Sequence, residues 1–307
     1  MAYPDKPLRL GTRASPLAMA QAHKVRDALC AAHGWSHDTI EIKPVIASGD
    51  KILDRALAEV GGKALWTKEL DVSLLSGEID FAVHSMKDVE TVRPAAFMIA
   101  AMLERGDVRD RLIGVESPDA LPFGARVGTS APRRTAQLLR LRPDLKITLF
   151  RGNVATRLAK LNAGEADATL LAAAGLDRLG MFDTGTAVPV DVMLPAPSQG
   201  AIGIETLANN VSVNAWISEV DHAATYHCVS AERAVLAALS GDCRSPIAAL
   251  AIIDGASINL RAEILSPDGR LHVTGEAHCA AGDLDAAYAL GKALLDRAPP
   301  ALRAHFG

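Results

Sequence analysis

The sequence predicts an α/β protein of two similar lobes followed by a small α+β domain, and three observations carry that prediction. The 307 residues exceed a single typical domain of roughly 100–200 residues. Three short landmarks recur in the same order within the first two thirds of the chain, as a duplicated unit requires. From about Ala223 the pattern changes to apolar runs separated by turn dipeptides.

The first landmark, Leu10-Gly11-Thr12-Arg13-Ala14-Ser15-Pro16, is echoed by Val127-Gly128-Thr129-Ser130-Ala131-Pro132-Arg133-Arg134. The second, Ile46-Ala47-Ser48-Gly49-Asp50, is echoed by Leu149-Phe150-Arg151-Gly152-Asn153. The third, Gly77-Glu78-Ile79-Asp80-Phe81-Ala82-Val83, is echoed by Gly164-Glu165-Ala166-Asp167-Ala168-Thr169-Leu170. Each reads as a junction between strand and helix. Leu8-Arg9-Leu10 is a short strand, Gly11-Thr12 a turn, and Pro16 stands where a first helical turn tolerates a missing N–H. A helix follows through Ala18–Cys30. Gly-Glu-x-Asp before an apolar run (Phe81–Val83, Ala168–Leu171) marks the end of a helix and the start of a buried parallel strand. Alternating strands and helices imply right-handed crossovers in an α/β layer architecture.

Open α/β sheets bind ligands beyond the carboxyl ends of their strands, where helix N-termini offer N–H donors and partial positive charge. The landmarks are such loops, so two lobes facing each other across them form a cleft suited to an anion. Gly49 and Gly77 are 28 residues apart but Gly152 and Gly164 only 12, so the first lobe carries an insertion. It contains Val60-Gly61-Gly62-Lys63-Ala64-Leu65-Trp66, a glycine-hinged segment with one cation and one aromatic ring, read as a lid over the cleft, with an inert surface loop as the even alternative.

In the last third, a helix through Ala224–Leu239 ends at Ser240-Gly241, and Ile247–Ile253, Ser257–Ile264 and Leu271–Ala277 follow. Asp254-Gly255 and Pro267-Asp268-Gly269 between them signal antiparallel hairpins. Leu284–Arg297 reads as a closing helix, and Cys243 lies in the loop leading into the sheet.

Composition removes several function classes. With 49% hydrophobic and 22% charged residues the chain is that of a folded globular protein, not a disordered one. A net charge of −4 gives no global attraction to nucleic acid or anionic lipid, and 4% aromatics offer little for base stacking. The longest uncharged apolar run, Ala95 to Leu103, is far short of the ~20 residues of a membrane-spanning helix. Met1–Pro7 lacks the apolar core of a secretory signal, so a cytoplasmic protein is expected. The four cysteines, Cys30, Cys228, Cys243 and Cys279, contain no C-x-x-C pair, and the nine histidines no H-E-x-x-H, so neither disulfides nor a metal site is expected. Gly61-Gly62-Lys63 lacks the remaining residues of a P-loop, and no G-x-G-x-x-G follows a strand.

Cationic residues concentrate in the landmark loops. Arg13, Arg133, Arg134, Arg151, Arg157 and Arg178 all fall at or just after them, and Arg133-Arg134 directly after Gly-Thr-Ser reads as a carboxylate or phosphate clamp at the rim of the cleft. The run Ala82-Val83-His84-Ser85-Met86-Lys87-Asp88 delivers four polar side chains to one strand end. A carboxylate there would be ionised at neutral pH and could stabilise a developing cation. On spacing alone, a half-buried, satisfied His84 and an Asp88 that caps the following segment explain the run slightly better.

Six dispersed blocks add a resemblance. Gly11–Ala18 with Gln21, Val60–Lys63, His84–Asp88, Arg151–Leu158, Leu194–Glu205 and Gly241-Asp242-Cys243 together resemble the porphobilinogen deaminase, or hydroxymethylbilane synthase, family along nearly the whole chain. The resemblance implies two lobes like those of type II periplasmic binding proteins and a C-terminal domain. Its implied boundaries are 1–104 plus 199–220, 105–198, and 221–307. It implies a transferase of tetrapyrrole (haem) biosynthesis that condenses four porphobilinogen molecules head to tail, releasing ammonia and linear hydroxymethylbilane. It also implies a dipyrromethane cofactor attached through a thioether to Cys243, where a thiolate suits attack on an electrophilic azafulvene.

Residue by residue, the resemblance makes Asp88 and Lys87 catalytic. Arg13, Ser15, Ser85, Lys87, Asp88, Arg133, Arg134, Arg151, Gly152, Asn153, Arg157, Gln199 and Gly200 would hold the cofactor. Arg13, Ser15, Gln21, Lys63, Trp66, Arg151, Arg157 and Arg178 would hold substrate, whose acetate and propionate add two negative charges at every step. No metal is implied, and a monomer without nucleic-acid or membrane partners is expected. Ala131, Ala64, Glu59 and Ser198 depart from the residues common in the family. A non-catalytic two-lobed binding protein for a small polyanion is the alternative that the fold alone permits.

Overall fold

Strand β1 begins at the first apolar alternation of the chain, and the computed structural model describes residues 4–45, 67–242 and 244–306. In chain order the elements are β1 (Leu8–Arg13), α1 (Pro16–His33), β2 (Ile40–Val45), α2 (Lys68–Leu75), β3 (Phe81–Ser85) and β4 (Phe97–Met102). Next come β5 (Asp110–Ile113), β6 (Arg126–Thr129), α3 (Pro132–Leu141), β7 (Lys146–Leu149), α4 (Val154–Asn162), β8 (Ala168–Ala172), α5 (Ala173–Arg178) and β9 (Thr186–Ala187). The chain ends with β10 (Ile202–Leu207), α6 (Val211–Ser218), α7 (Ala223–Ala238), β11 (Ile247–Asp254), β12 (Ser257–Leu265), β13 (His272–Ala280), and α8 (Leu284–Arg297) with a short last helical turn. Among the described residues one compact unit comprises 4–45, 67–106 and 200–226, and a second comprises 107–199 and 227–306.

The first unit is built on a sheet of order β2-β1-β3-β10-β4. β1 pairs in parallel with β2 and β3, whereas β10 runs antiparallel to β3 and β4. Gly11 and Thr12, expected as a turn, are the fourth and fifth residues of β1, because their ladder with Lys43 and Pro44 continues the strand to Arg13. α1 then starts as its sequence predicts. Ser15 caps it by accepting the Ala18 N–H at 3.3 Å, Pro16 occupies the first turn, and Gly34 closes it at φ 67°. Leu10, Val25, Leu29, Phe81, Ile202 and Ile204 form the core between sheet and helices.

The second unit repeats this order as β7-β6-β8-β5-β9. β6 is parallel to β7 and β8, and β5 is antiparallel to β8 and β9. Register repeats as well: Gly11 lies opposite Ala82 and Gly128 opposite Thr169. The recurrent aspartate of Gly-Glu-x-Asp has one purpose in both copies. Asp80 accepts the Arg9 backbone N–H at 2.7 Å and its own N–H donates to the Arg9 carbonyl at 2.8 Å. Asp167 does the same with Arg126 at 2.7 and 2.8 Å, so each aspartate pins the start of the third strand to the start of the first. Reading only parallel strands in the lobes was incomplete. Each sheet also takes one antiparallel strand from a segment far from its landmarks, β10 in the first and β5 in the second.

Residues 227–306 carry the three-stranded antiparallel sheet β11-β12-β13, with turns at Gly255 (φ 61°) and Gly269 (φ 71°) where the turn dipeptides required them. α8 has the predicted bounds, and Val235, Leu239, Ile258, Leu260 and Leu294 form the core beneath the sheet. The approach to β10 is tight. Ser198 adopts φ 66°, is buried, and donates its N–H to Glu232 at 2.6 Å. Glu232 also accepts the Ala251 N–H at 2.8 Å.

The duplicated glycines differ in tolerance. A Cβ on Gly128 would stand 2.3–2.6 Å from three ring atoms of buried Phe150, whereas one on Gly11 would first meet the tip of Ile79 at 2.3 Å. A Gly128→Ala substitution is expected to cost about 1–3 kcal/mol of unfolding free energy through overpacking, and Gly11→Ala less, because a methyl tip moves more easily than a ring. Urea denaturation of both variants measures this, and equal losses would show that the ring yields as freely as the tip.

Candidate active site

β3 is buried from Phe81 to His84, and its carboxyl end passes into a single 3-10 turn, Met86–Asp88. That turn carries Lys87 and ends on Asp88, so Asp88 opens no helix. Arg13, Gln21, Thr67, His84, Ser85 and Asp88 line one cavity of the first unit. Arg13 comes from the end of β1, Gln21 from the second turn of α1, and His84 and Ser85 from β3. Gln21 and Ser85 bond to each other in both directions: Nε2 donates to Oγ at 2.8 Å and Oγ donates to Oε1 at 3.1 Å. Ser15 spends its hydroxyl oxygen on the α1 cap.

His84 is fully buried, beyond the half-burial expected, and its Nε2 lies 3.0 Å from Glu205 Oε2. Glu205, on β10, also accepts Arg93 Nε at 2.7 Å and Arg93 Nη2 at 3.1 Å. Burial works against the Glu205 charge, but His84 and Arg93 outweigh it and hold its carboxyl below the ordinary range. Arg93 carried no sequence signal, and Glu205, although it ends one of the resemblance blocks, gave no sign of its pairing with His84, 121 residues away.

In the second unit the expected rim clamp is not at a rim. Arg133 and Arg134 are 4% and 5% exposed, and both converge on buried Asp110, Nη2 to carboxylate, at 2.8 and 2.7 Å. Arg133 Nη1 also donates to the Leu194 carbonyl and to Gln137, and Arg134 Nη1 to the Leu170 carbonyl. Gln199 donates to Asp110 at 2.9 Å and to the Val108 carbonyl at 2.8 Å. Burial opposes the Asp110 charge, yet two guanidinium groups hold its carboxyl far below the ordinary carboxylate range. Burial likewise lowers Arg133 against the pull of Asp110.

The loop between β7 and α4 is the expected strand-to-helix junction, but its arginine does not lie on a rim. Arg151 is buried, Gly152 has φ 102°, and Asn153 caps α4 by accepting the Thr156 N–H at 2.9 Å. Arg157 Nε donates to the Gly152 carbonyl at 3.0 Å, which turns the side chain back toward the helix start. Arg178, the last residue of α5, is pushed down to about 10 by burial, against the opposing effect of Asp177. Gly200, at φ 87°, belongs to the first unit, where its carbonyl accepts the Gly106 N–H at 3.1 Å. Cys243, Lys63, Trp66, Ala64 and Glu59 lie outside the described residues.

A dipyrromethane presents four carboxylates and two pyrrole N–H donors, so its holder needs several cations and an acceptor. The donor set fits. The first unit carries Arg13 and Lys87 with the Asp88 carboxylate, and the second carries Arg151 in the loop before α4, Arg157 within α4 and Arg178 at the end of α5. The buried Nε atoms of Arg133 and Arg134 have no hydrogen-bond partner among the described residues, so each keeps one donor in hand. Among those residues, no three His, Cys, Asp or Glu side chains form a group that could hold a metal ion.

Comparison with known proteins adds sequence-wide support. Residues 8–215 match the family model described as porphobilinogen deaminase, dipyromethane cofactor binding domain, and residues 226–298 that of the porphobilinogen deaminase C-terminal domain. The porphobilinogen deaminase of Sphingopyxis alaskensis is 59% identical, with 100% of this chain and 98% of its own length aligned. That of Paracoccus denitrificans is 48% identical over 90% of this chain and 89% of its own. Among solved structures, the second substrate binding domain of a putative amino acid ABC transporter from Streptococcus pneumoniae aligns at 15% identity and TM-score 0.42, covering 69% of this chain and 90% of that one.

Removing the carboxylate between two buried guanidinium groups strands both. An Asp110→Asn variant is expected to lose about 3–5 kcal/mol of stability at neutral pH, measured by urea denaturation. Because the folded-state pKa of Asp110 is depressed, its contribution is present above the unfolded value near 3.9 and is lost as pH falls below it. The gap between parent and variant should therefore close progressively in acid below about pH 4. A gap that stays constant down to pH 2 would contradict the assignment.

Proposed function

The chain belongs to the porphobilinogen deaminase family, and on that premise we propose that it is a hydroxymethylbilane synthase working through Asp88. The observation that carries this reading is the placement of Asp88 at the end of a buried strand, in one cavity with Arg13, Gln21 and Ser85. Its substrate is porphobilinogen. Each addition forms one carbon–carbon bond and breaks one carbon–nitrogen bond, the aminomethyl nitrogen leaving as ammonia and the attacked ring carbon losing a proton. After four additions, water would attack the methylene carbon that joins the first added ring to the primer, forming a carbon–oxygen bond as that carbon–carbon bond breaks and a proton returns to the primer's ring carbon, and linear hydroxymethylbilane leaves.

A dipyrromethane held through Cys243, when bound, supplies the nucleophilic ring carbon from which the chain grows. Asp88 accepts hydrogen bonds from pyrrole N–H groups and places a negative charge where positive charge develops as ammonia departs. Away from bulk water such an interaction gains strength. Lys87, beside it, neutralises a substrate carboxylate. Arg13 serves the same purpose from β1, and Arg151 and Arg157 do so from the second unit, where donors at the start of α4 favour anions. Gln21 and Ser85, bonded to each other, orient one another toward the cavity. Arg133 and Arg134, anchored on Asp110, act through their remaining donors and as a fixed positive field. Gln199 shares the Asp110 anchor, and Gly152, Asn153, Ser15 and Gly200 shape the backbone at these strand ends. Lys63 and Trp66 complete the substrate set by family resemblance.

The proposal extends to three domains, 1–104 with 199–220, 105–198 and 221–307. Three separate sheets, each with its own core, support it. It also extends to a cytoplasmic monomer without membrane or nucleic-acid partners. Among the described residues no helix is long and apolar enough to cross a membrane, and a net charge of −4 draws no polyanion.

Intact-mass spectrometry of the purified chain is expected to show an increment of two pyrrole units localised to Cys243, and incubation with porphobilinogen should release ammonia. A bare polypeptide that gains nothing on incubation would remove the deaminase reading in favour of a binding protein. Asp88→Asn should keep the increment while slowing turnover by about 100-fold or more. Normal turnover in that variant would overturn the role given to Asp88.

A further inference from the structure

Resting on the reading of Asp88 as the residue at the reacting centre, we propose that Arg93 is a positioning residue for it, one buried guanidinium setting two walls of the Asp88 cavity. Arg93 does not line that cavity. It sits between exposed Val92 and Pro94, five residues after Asp88, with a side chain only 8% exposed. Its nitrogens reach β10, α2 with the residue before it, and the loop that follows Asp88. Nε and Nη2 fork onto Glu205 of β10 at 2.7 and 3.1 Å. Nη2 also donates to Asp71 of α2 at 2.6 Å, and Nη1 to Glu90 at 2.6 Å and to Thr67 Oγ at 3.4 Å. The Phe97 ring covers one face of the guanidinium, 4.9 Å from its centroid.

Two of these contacts lead straight to the cavity. Thr67 lines it, is 1% exposed, and is held directly. His84 also lines it and is held through Glu205, whose second oxygen is bound by the imidazole. With a carboxylate accepting at Nε2, that nitrogen carries the proton and the ring orientation is set. His84 in turn is joined by one residue, Ser85, to the turn that ends on Asp88. The side walls of the cavity therefore move together or not at all, according to where Arg93 sits.

Charge explains why arginine is needed. One guanidinium, joined by His84, faces the three carboxylates Glu205, Asp71 and Glu90. A planar fork of five N–H donors serves all of them at fixed angles, whereas an ammonium offers a compact point charge with three donors. Arg93→Lys thus keeps the charge and loses the geometry. Glu205→Gln keeps the shape and loses the charge that holds His84 and Arg93 together.

The test uses the full chain carrying its Cys243 increment, with ammonia release from porphobilinogen as the assay. Arg93→Lys is expected to retain the increment and to lower kcat by about 10- to 100-fold, as misplacement by about an ångström does, with KM within about threefold of the parent. Glu205→Gln, which fills the same volume, should shift kcat in the same direction. If both variants melt at lower temperature yet keep kcat within about threefold, Arg93 only stabilises the fold and the proposal fails. A raised KM at unchanged kcat overturns it equally. Absence of increment and of turnover in the unsubstituted chain would instead remove the functional reading, which separates that failure from this one.

Discussion

A single buried carboxylate, Asp110, determines how the second unit is organised. Two guanidinium groups at the start of α3 could not be buried without an anion between them, since the cost of removing an isolated charge from water far exceeds what packing returns. Asp110 supplies that anion from β5, an antiparallel strand that reaches the sheet from outside the duplicated landmarks. Once the three are together, their spare donors order what surrounds them. Arg134 holds the Leu170 carbonyl at β8, Arg133 and Gln137 hold the Leu194 carbonyl, and Gln199 completes the set before the chain leaves the unit. Gln137 also donates to Glu263 of β12 at 3.2 Å, so the same polar centre ties the second lobe to the C-terminal sheet.

The first unit solves a related problem in reverse. There one guanidinium, Arg93, compensates several carboxylates, and burial pushes the Asp71 carboxyl up despite its bond to Arg93. The two lobes share strand order and register but not their buried charges. Topology was duplicated, whereas the polar centre of each copy was built separately: one around an acid, the other around a base. The first has the site carboxylate, Asp88, beside its polar centre. The second, taken by itself, carries Arg151 in the loop before α4, Arg157 within that helix and Arg178 at the end of α5.

Where local chemistry decides, sequence and structure agree. Pro16 and Ser15 start α1, Gly34 ends it, Asp254-Gly255 and Pro267-Asp268-Gly269 turn the C-terminal hairpins, and α8 has its predicted bounds. The duplicated Gly-Glu-x-Asp was visible because its aspartate makes the same backbone pair in both copies. What failed to show was decided by distance along the chain. The apolar run of β10 reads the same whether its neighbour is parallel or antiparallel, and β5 is four residues with two charged ones at its start, so neither was placed from pattern alone. Arg133-Arg134 after Gly-Thr-Ser resembles a rim clamp until Asp110, 23 residues upstream, is known to lie between them. Arg93 sits in a loop with no motif around it. The strand end with His84, Ser85 and Asp88 stood out as a cluster, but geometry was needed to separate the buried His84 from the residues that face the cavity.

The exchange of antiparallel strands has a consequence for how the chain is made. Among the described residues β4 pairs only with β10, and β3 depends on β10 along one side. A ribosome delivers β3 and β4 before the whole of the second lobe and β10 only after it. The first lobe must therefore wait, one strand short, with two apolar edges open while more than ninety further residues emerge. The second lobe faces no such delay, because β5 precedes its other strands. Order of synthesis thus favours completion of the later lobe first, and the sheet that carries Asp88 closes only after it. A nascent chain stalled before residue 202 would hold an assembled arginine lobe and an unfinished site for Asp88.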